Sequence, residues 1–149
     1  MTWPIVVFRI DGVRYGLRLE QVEELVRMVE TVPLPGAPAI IEGAVDVRGS
    51  VVPVLDVRAR FGHPPRPAQV DDRLIVARAG RRRVALRVDA VVGIERVAPS
   101  TDALANLGAP ASVRLAGVAA LPDGLVLIHD LAGFLAEAEA RGLDEVLGA

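Results

Sequence analysis

Few side chains in this sequence could serve as nucleophile or base. The serines are Ser50, Ser100 and Ser112, the histidines are His63 and His129, and neither lysine nor cysteine occurs. His129 followed by Asp130 has the composition of half a catalytic triad, in which a carboxylate orients an imidazole base toward a hydroxyl. It closes an otherwise apolar strand, however, so a partly buried structural histidine is the stronger reading. His63 lies among prolines and reads as solvated. Two histidines without a carboxylate three or four positions away make no metal-binding spacing, and no glycine-rich loop ends in Lys-Ser or Lys-Thr to hold phosphate. Without cysteine there is no disulfide framework and no thiolate ligand. The expectation is no catalysis, no cofactor and no metal.

The remaining chemistry is arginine, which accounts for all 17 basic residues. Between Ile41 and Gly62 two short apolar strands wrap around Arg48-Gly49-Ser50, turn chemistry that leaves one guanidinium at the tip of a rigid hairpin, placed to touch a partner. An internal salt bridge to Asp46 or Asp56 is the alternative. Arg81-Arg82-Arg83 follows a hairpin glycine and fits an exposed turn that discourages edge-to-edge pairing better than it fits a basic docking patch. Phe8 and Tyr15 fall on strand faces that read as buried, and Phe61 and Phe134 follow apolar segments, so no aromatic platform for stacking bases is visible. Trp3, ahead of Pro4, either folds onto the domain or meets a partner.

These residues must be positioned by short strands. At 149 residues the chain is expected to form one domain that buries about two-thirds of its unfolded surface. A net charge of −2 gives no polyanion-binding field, so nucleic acid is not an expected partner. Mean hydropathy is +0.40, yet glycine, proline or charge interrupts each apolar run short of a membrane span. Met1-Thr2-Trp3-Pro4 leads straight into a strand without the basic start of a signal peptide, and the chain reads as cytoplasmic.

The sequence repeats itself. Leu17, Leu19, Glu20, Val22 and Leu25 are matched by Leu86, Val88, Asp89, Val91 and Ile94, each 69 positions on, as from Leu17 to Leu86. Gly43, Val51-Val52, Val54 and Asp56-Val57 are matched by Gly117, Leu125-Val126, Ile128 and Asp130-Leu131, each 74 positions on, as from Gly43 to Gly117. Each half opens with a hairpin. Ile5 to Ile10 is an apolar run, Asp11-Gly12 suits a two-residue type I′ turn, and Val13, Tyr15, Leu17 and Leu19 then alternate with Arg14, Gly16 and Arg18, one face toward a core and the other toward solvent. In the second half Leu74 to Ala79 leads into Gly80, and Val84, Leu86 and Val88 point opposite to Arg83, Arg87 and Asp89.

Between the halves, Gly62 to Val70 is a stiff connector, because its closely spaced prolines cannot enter a sheet. A terminal helix is expected from an Asp130 N-cap, with a stripe of Leu131, Phe134, Leu135, Ala138 and Leu143 opposite Glu137, Glu139 and Arg141, and Gly142 as an interruption. Single helical turns are expected over Glu20 to Glu24 and Ser100 to Asn106. The fold class that follows is all-β: two small SH3-like β-barrel subdomains packed together, roughly residues 1–66 and 67–149 and open to strand exchange, with short helices and a C-terminal helix.

The central segment closely resembles the core motif of the CheW family of chemotaxis coupling proteins, a glycine, an apolar strand, an Asn-Leu-Arg-Gly turn and a Pro-Val-x-Asp strand. The matching residues are Gly43, Val45, Asp46-Val47-Arg48-Gly49, Val51 and Pro53-Val54-Leu55-Asp56. The resemblance extends from Val6 to the terminal helix through Tyr15-Gly16-Leu17, Val22-Glu23-Glu24-Leu25, Pro33-Leu34-Pro35, Pro38-Ala39-Ile40 and Val88-Asp89-Ala90-Val91. It implies a non-catalytic cytoplasmic adaptor, recruited to membrane receptor arrays without entering the membrane. Its expected partners are the cytoplasmic tips of methyl-accepting chemotaxis receptors and the regulatory domain of a CheA-type histidine kinase. Carried over by position, the receptor-facing residues are Val22, Glu24, Gly43 and Arg48, with Val91 as the repeat's counterpart of Val22, and Asp46 and Gly49, which flank Arg48, complete the partner-binding set. A concave groove at the seam between halves would take a receptor helix. Asp46 departs from the usual Asn, an acceptor where an amide could also donate. That leaves open a paralogue serving a pilus, gliding or gene-regulatory array; a small β-barrel binding nucleic acid or a ligand is the reading from a different class.

Overall fold

The structure is a computed structural model that describes residues 2–100, 115–131 and 137–148. The strands are β1 (Trp3–Ile10), β2 (Val13–Arg18), β3 (Val22–Arg27), β4 (Ile41–Val47), β5 (Ser50–Leu55), β6 (Arg73–Ala79), β7 (Arg82–Val88), β8 (Ala90–Val97), β9 (Leu115–Leu121) and β10 (Gly124–His129). A 3₁₀ turn at Leu19–Gln21, a short helix α1 (Val57–Phe61) and a terminal helix α2 (Glu137–Leu147) complete the described elements. The fold is mostly β, as the alternation predicts, in two sheets of five strands ordered β8-β1-β2-β10-β9 and β3-β6-β7-β5-β4.

The two orders are the same order. Replacing β6, β7, β3, β5 and β4 by β1, β2, β8, β10 and β9 turns the second sheet into the first, so each sheet takes a hairpin from one half of the sequence and three strands from the other. Irregularities repeat as well: β3 slips register at Glu23 and β8 at Val92, 69 positions apart, while β4 slips at Glu42 and β9 at Ala116, 74 apart. Such bulges bend a strand and re-aim its side chains. Val22 therefore packs into the core between the sheets, whereas Val26, of the same parity, packs inside its own sheet.

Each sheet rolls up and is joined end to end by one antiparallel bridge, Val32 to Ala44 in one and Ser100 to Val118 in the other. Both seams leave no room for a side chain at a glycine. A Cβ on Gly43 would stand 2.6 Å from the carbonyl oxygen of Val32, and one on Gly117 would stand 2.7 Å from Pro99.

Three cores result. Val45, Val52, Val54, Leu74 and Val76 fill one barrel, and Ile5, Val7, Ala119, Val126 and Ile128 fill the other. Between them lies the largest, with Phe8, Tyr15, Leu17, Ile75, Leu86, Val88, Leu131 and Leu143. The strands at this interface are buried on both faces, which corrects the expectation of one solvent face: Gly16 packs against Ile5, Val126 and Ile128, and Arg87 is 7% exposed. It also explains why Ile5 to Phe8 of β1 and Leu74 to Ala77 of β6 are apolar at four successive positions. The terminal helix continues through Gly142, which corrects the expected interruption. The glycine serves close packing instead, since a Cβ there would lie 2.9 Å from the Pro38 ring. Phe134, Leu135 and the expected turn beyond Ser100 lie outside the described residues.

Candidate functional site

The β4–β5 hairpin turns through Arg48 and Gly49, both left-handed at φ 52° and 85°, the two-positive-φ geometry of a type I′ turn. The Asp46 carboxylate locks it by accepting the Gly49 N–H at 2.7 Å. That role needs only an acceptor oxygen, which Asp supplies as well as Asn. Arg48 is thus held at the tip of a rigid ribbon with its side chain 84% exposed. Its ion pair is neither Asp46 nor Asp56 but Glu24 on β3, at 3.1 Å, and Asp56 instead caps α1 by accepting the Ala59 N–H at 3.1 Å.

Glu24 lies 3.9 Å from Arg83 as well, and neighbouring Glu23 joins Arg83 at 3.2 Å and Arg78 at 3.1 Å. Two carboxylates and three guanidiniums line one open cavity of about 570 Å³ beside Val47 and Ser50. An exposed lattice of this kind contributes little to stability but presents directional donors to a partner. Nothing in the sequence alone marks Glu23, Arg78 and Arg83 as site residues. Their membership depends on the order β3-β6-β7-β5-β4, which no local pattern encodes.

The other expected residues fall elsewhere. Val91 lines a second groove, about 300 Å³, between β3 and β8, together with Leu25, Val26 and Ala90 and with the charged side chains of Arg27, Asp71 and Arg73. β3 and β8 are each the outer strand of their sheet, and Leu25 and Ile94, 48% and 63% exposed, occupy equivalent positions of the repeat. Val22 packs half-buried on the central core, and Gly43 sits at the closing bridge. The structure therefore brings Glu24, Asp46, Arg48 and Gly49 together, sets Val91 on the β3–β8 groove, and gives Gly43 a structural reason of its own.

A chain of charges fixes the seam. Arg58 of α1, 2% exposed, bonds both Asp11 oxygens at 2.8 and 3.0 Å and Asp89 at 2.9 Å. Arg66 of the connector joins Asp89 at 2.7 Å and Asp72 at 2.6 Å, and Arg87 joins Asp72 at 3.2 Å and Glu42 at 2.8 Å. Burial alone would raise the Asp89 carboxyl, but the Asp11 N–H and the Arg58 and Arg66 guanidiniums outweigh it and hold the group at about 2. His63 is bonded to the Tyr15 hydroxyl at 2.5 Å and lies 3.4 Å from Asp11, a correction to its reading as solvated. Burial, then the Asp11 charge, push the Tyr15 phenol up to about 12. His129 is 1% exposed and stacks on Phe61 at 4.0 Å, in the core as expected for a structural histidine. Trp3 is half-buried beneath Arg18, whose guanidinium carbon lies 3.8 Å from the ring centre. Among the described residues no group of His, Asp and Glu could hold a metal ion, and no helix is long and apolar enough to cross a membrane.

A family model described as "CheW-like domain" matches residues 4–139. The chain is 26% identical over 142 residues to a probable chemotaxis protein CheW of Rhizobium etli, covering 92% of this chain and 90% of that one. It is 25% identical over 146 residues to the chemotaxis protein CheW of Klebsiella aerogenes, covering 95% and 86%. Among solved structures, that of the scaffolding protein TtCheW from Thermoanaerobacter tengcongensis is similar at a TM-score of 0.77 and 27% identity, covering 93% of this chain and 96% of that one.

Proposed function

Because this chain belongs to the CheW-like domain family, we propose that it is a chemotaxis-type adaptor that couples the cytoplasmic tips of transmembrane chemoreceptors to the regulatory domain of a CheA-type histidine kinase. It works by binding alone. The observation that carries the reading is the Glu24–Arg48 surface, a guanidinium held 84% exposed on a locked turn beside an open cavity. A salt bridge of that exposure adds little to folding, so its fixed geometry fits a contact with another protein. The second handle is the β3–β8 groove. Leu25, Val26, Ala90 and Val91 offer it apolar surface for one face of a helix, here the receptor tip, with Arg27, Asp71 and Arg73 beside them for polar contacts. Two separate surfaces on one rigid body let the protein hold both partners at once, and similarity to chains named chemotaxis protein CheW and scaffolding protein supports that role. We place the protein in the cytoplasm, brought to the membrane through the receptor.

Reconstitution tests this. Receptor signalling fragments on beads should retain the kinase only when this protein is added. Leu25→Glu should release the protein from the receptor, and Arg48→Glu should release the kinase from the protein. Retention of the kinase by neither bead-bound receptor nor the adaptor alone would sink the proposal.

A further inference from the structure

The hairpin tips Arg48-Gly49 and Gly80-Arg81 lie at the same end of one sheet, because β5 runs parallel to β7. That parallel ladder pairs only Val54 with Ala85 and Leu55 with Leu86, so the first residues of the two strands part before the tips. A cavity of about 380 Å³ opens there, lined by Ser50, Val51, Arg78, Arg81, Arg82 and Arg83 among others. It shares Ser50, Arg78 and Arg83 with the Glu24–Arg48 cavity, and the two form one saddle. Along it stand five guanidiniums, of Arg48, Arg78, Arg81, Arg82 and Arg83, against three carboxylates, of Glu23, Glu24 and Asp144. This surplus of positive charge sits on a chain whose net charge is −2, so charge is segregated onto the saddle. Arg81 makes no ion pair among the described residues, Arg78 is 54% exposed, and Val51, 63% exposed, offers an apolar contact between the tips.

We propose that this saddle docks an extended, carboxylate-rich segment of a partner protein. The proposal names the partner chemistry of the Glu24–Arg48 surface and rests on reading that surface as a protein contact. Guanidinium forks pair two-to-two with carboxylates. Here they are spread along two hairpin tips with Glu23, Glu24 and Asp144 between them, a spacing that fits several single carboxylates and not one compact polyanion. Val51 takes an apolar residue of the same segment.

The test is fluorescence anisotropy with a labelled dodecapeptide of Asp, Glu and Leu, against a counterpart carrying Asn and Gln, at about 50 and 300 mM salt. Wild type should bind the acidic peptide, lose roughly tenfold in affinity at the higher salt, and ignore the amide peptide. Arg81→Glu and Arg78→Gln should each weaken binding by about tenfold while melting with the wild type. Equal binding of the two peptides, or affinities within about twofold of wild type in both variants, would overturn the proposal. So would displacement of the acidic peptide by inorganic tripolyphosphate at lower concentration than by its own unlabelled form. The kinase regulatory domain is titrated in parallel: a wild type that binds the peptide but not this domain refutes the adaptor reading and leaves the saddle standing.

Discussion

Replacing Gly43 with alanine separates a structural position from a contact position. The added Cβ would stand 2.6 Å from the Val32 carbonyl oxygen and 2.6 Å from the Thr31 Cγ2. Thr31 can rotate away; the carbonyl cannot, since the same residue makes both hydrogen bonds of the closing bridge, Val32 N–H to Ala44 and Ala44 N–H to Val32, each 2.8 Å. Relieving the clash means opening that seam. Two backbone hydrogen bonds are worth about 1 kcal/mol each and overpacking adds about 1 to 2, so Gly43→Ala should cost about 3 kcal/mol. For a domain of this size that is a fall in Tm of roughly 6 to 12 °C. Gly49→Ala is the control: its φ of 85° carries backbone strain, but a Cβ there meets nothing within 4 Å, so the cost is about 1 to 2 kcal/mol. Urea unfolding of both variants, with unchanged m-values, measures the difference. Equal stability of Gly43→Ala and wild type would refute the closing-bridge argument and return Gly43 to the partner surface.

Arg48→Glu places a second carboxylate beside Glu24, but at 84% exposure the unfolding free energy should change by less than about 1 kcal/mol while kinase binding falls more than tenfold, as calorimetry and melting of one sample will report. Arg58→Ala leaves Asp11 and Asp89 facing each other without their shared guanidinium and should cost about 3 kcal/mol in denaturant unfolding, far more than any exposed arginine. Asp89 is held at about 2, below the ordinary carboxyl range, so its contribution is present above that range and is lost as the pH falls from about 5 toward 2. Allowing for solvent screening, that loss is about 1 to 2 kcal/mol, and Asp89→Asn should flatten the acid limb of stability against pH.

What the sequence disclosed follows from period and offset. The alternation of Tyr15 and Leu17, the Asp11-Gly12 turn and the offsets of 69 and 74 are local or self-referential signals, and they led to the strands, the hairpins and the repeated architecture. The misses involve residues whose neighbours arrive from far along the chain. Arg87 reads as a solvent-facing member of an alternating strand, yet Glu42, Asp72 and the connector close over it. His63 reads as loop because prolines surround it, and its partners Tyr15 and Asp11 belong to the first hairpin. Glu24 and Arg48 each match a partner residue of the family motif, but their pairing depends on a sheet order in which β6, β7 and β5 stand between β3 and β4. Gly43 illustrates the same limit: the repeat marks it together with Gly117, while the reason, a backbone seam, is visible only in three dimensions.

Isothermal titration of the wild-type protein with the regulatory domain of a CheA-type kinase tests the central claim most directly. The account predicts saturable one-to-one binding with a Kd in the micromolar range, about −8 kcal/mol, and no heat with nucleotide, divalent metal or DNA. An absence of binding to the kinase domain, together with turnover of a nucleotide or ester substrate that disappears in a His129 variant, would contradict it.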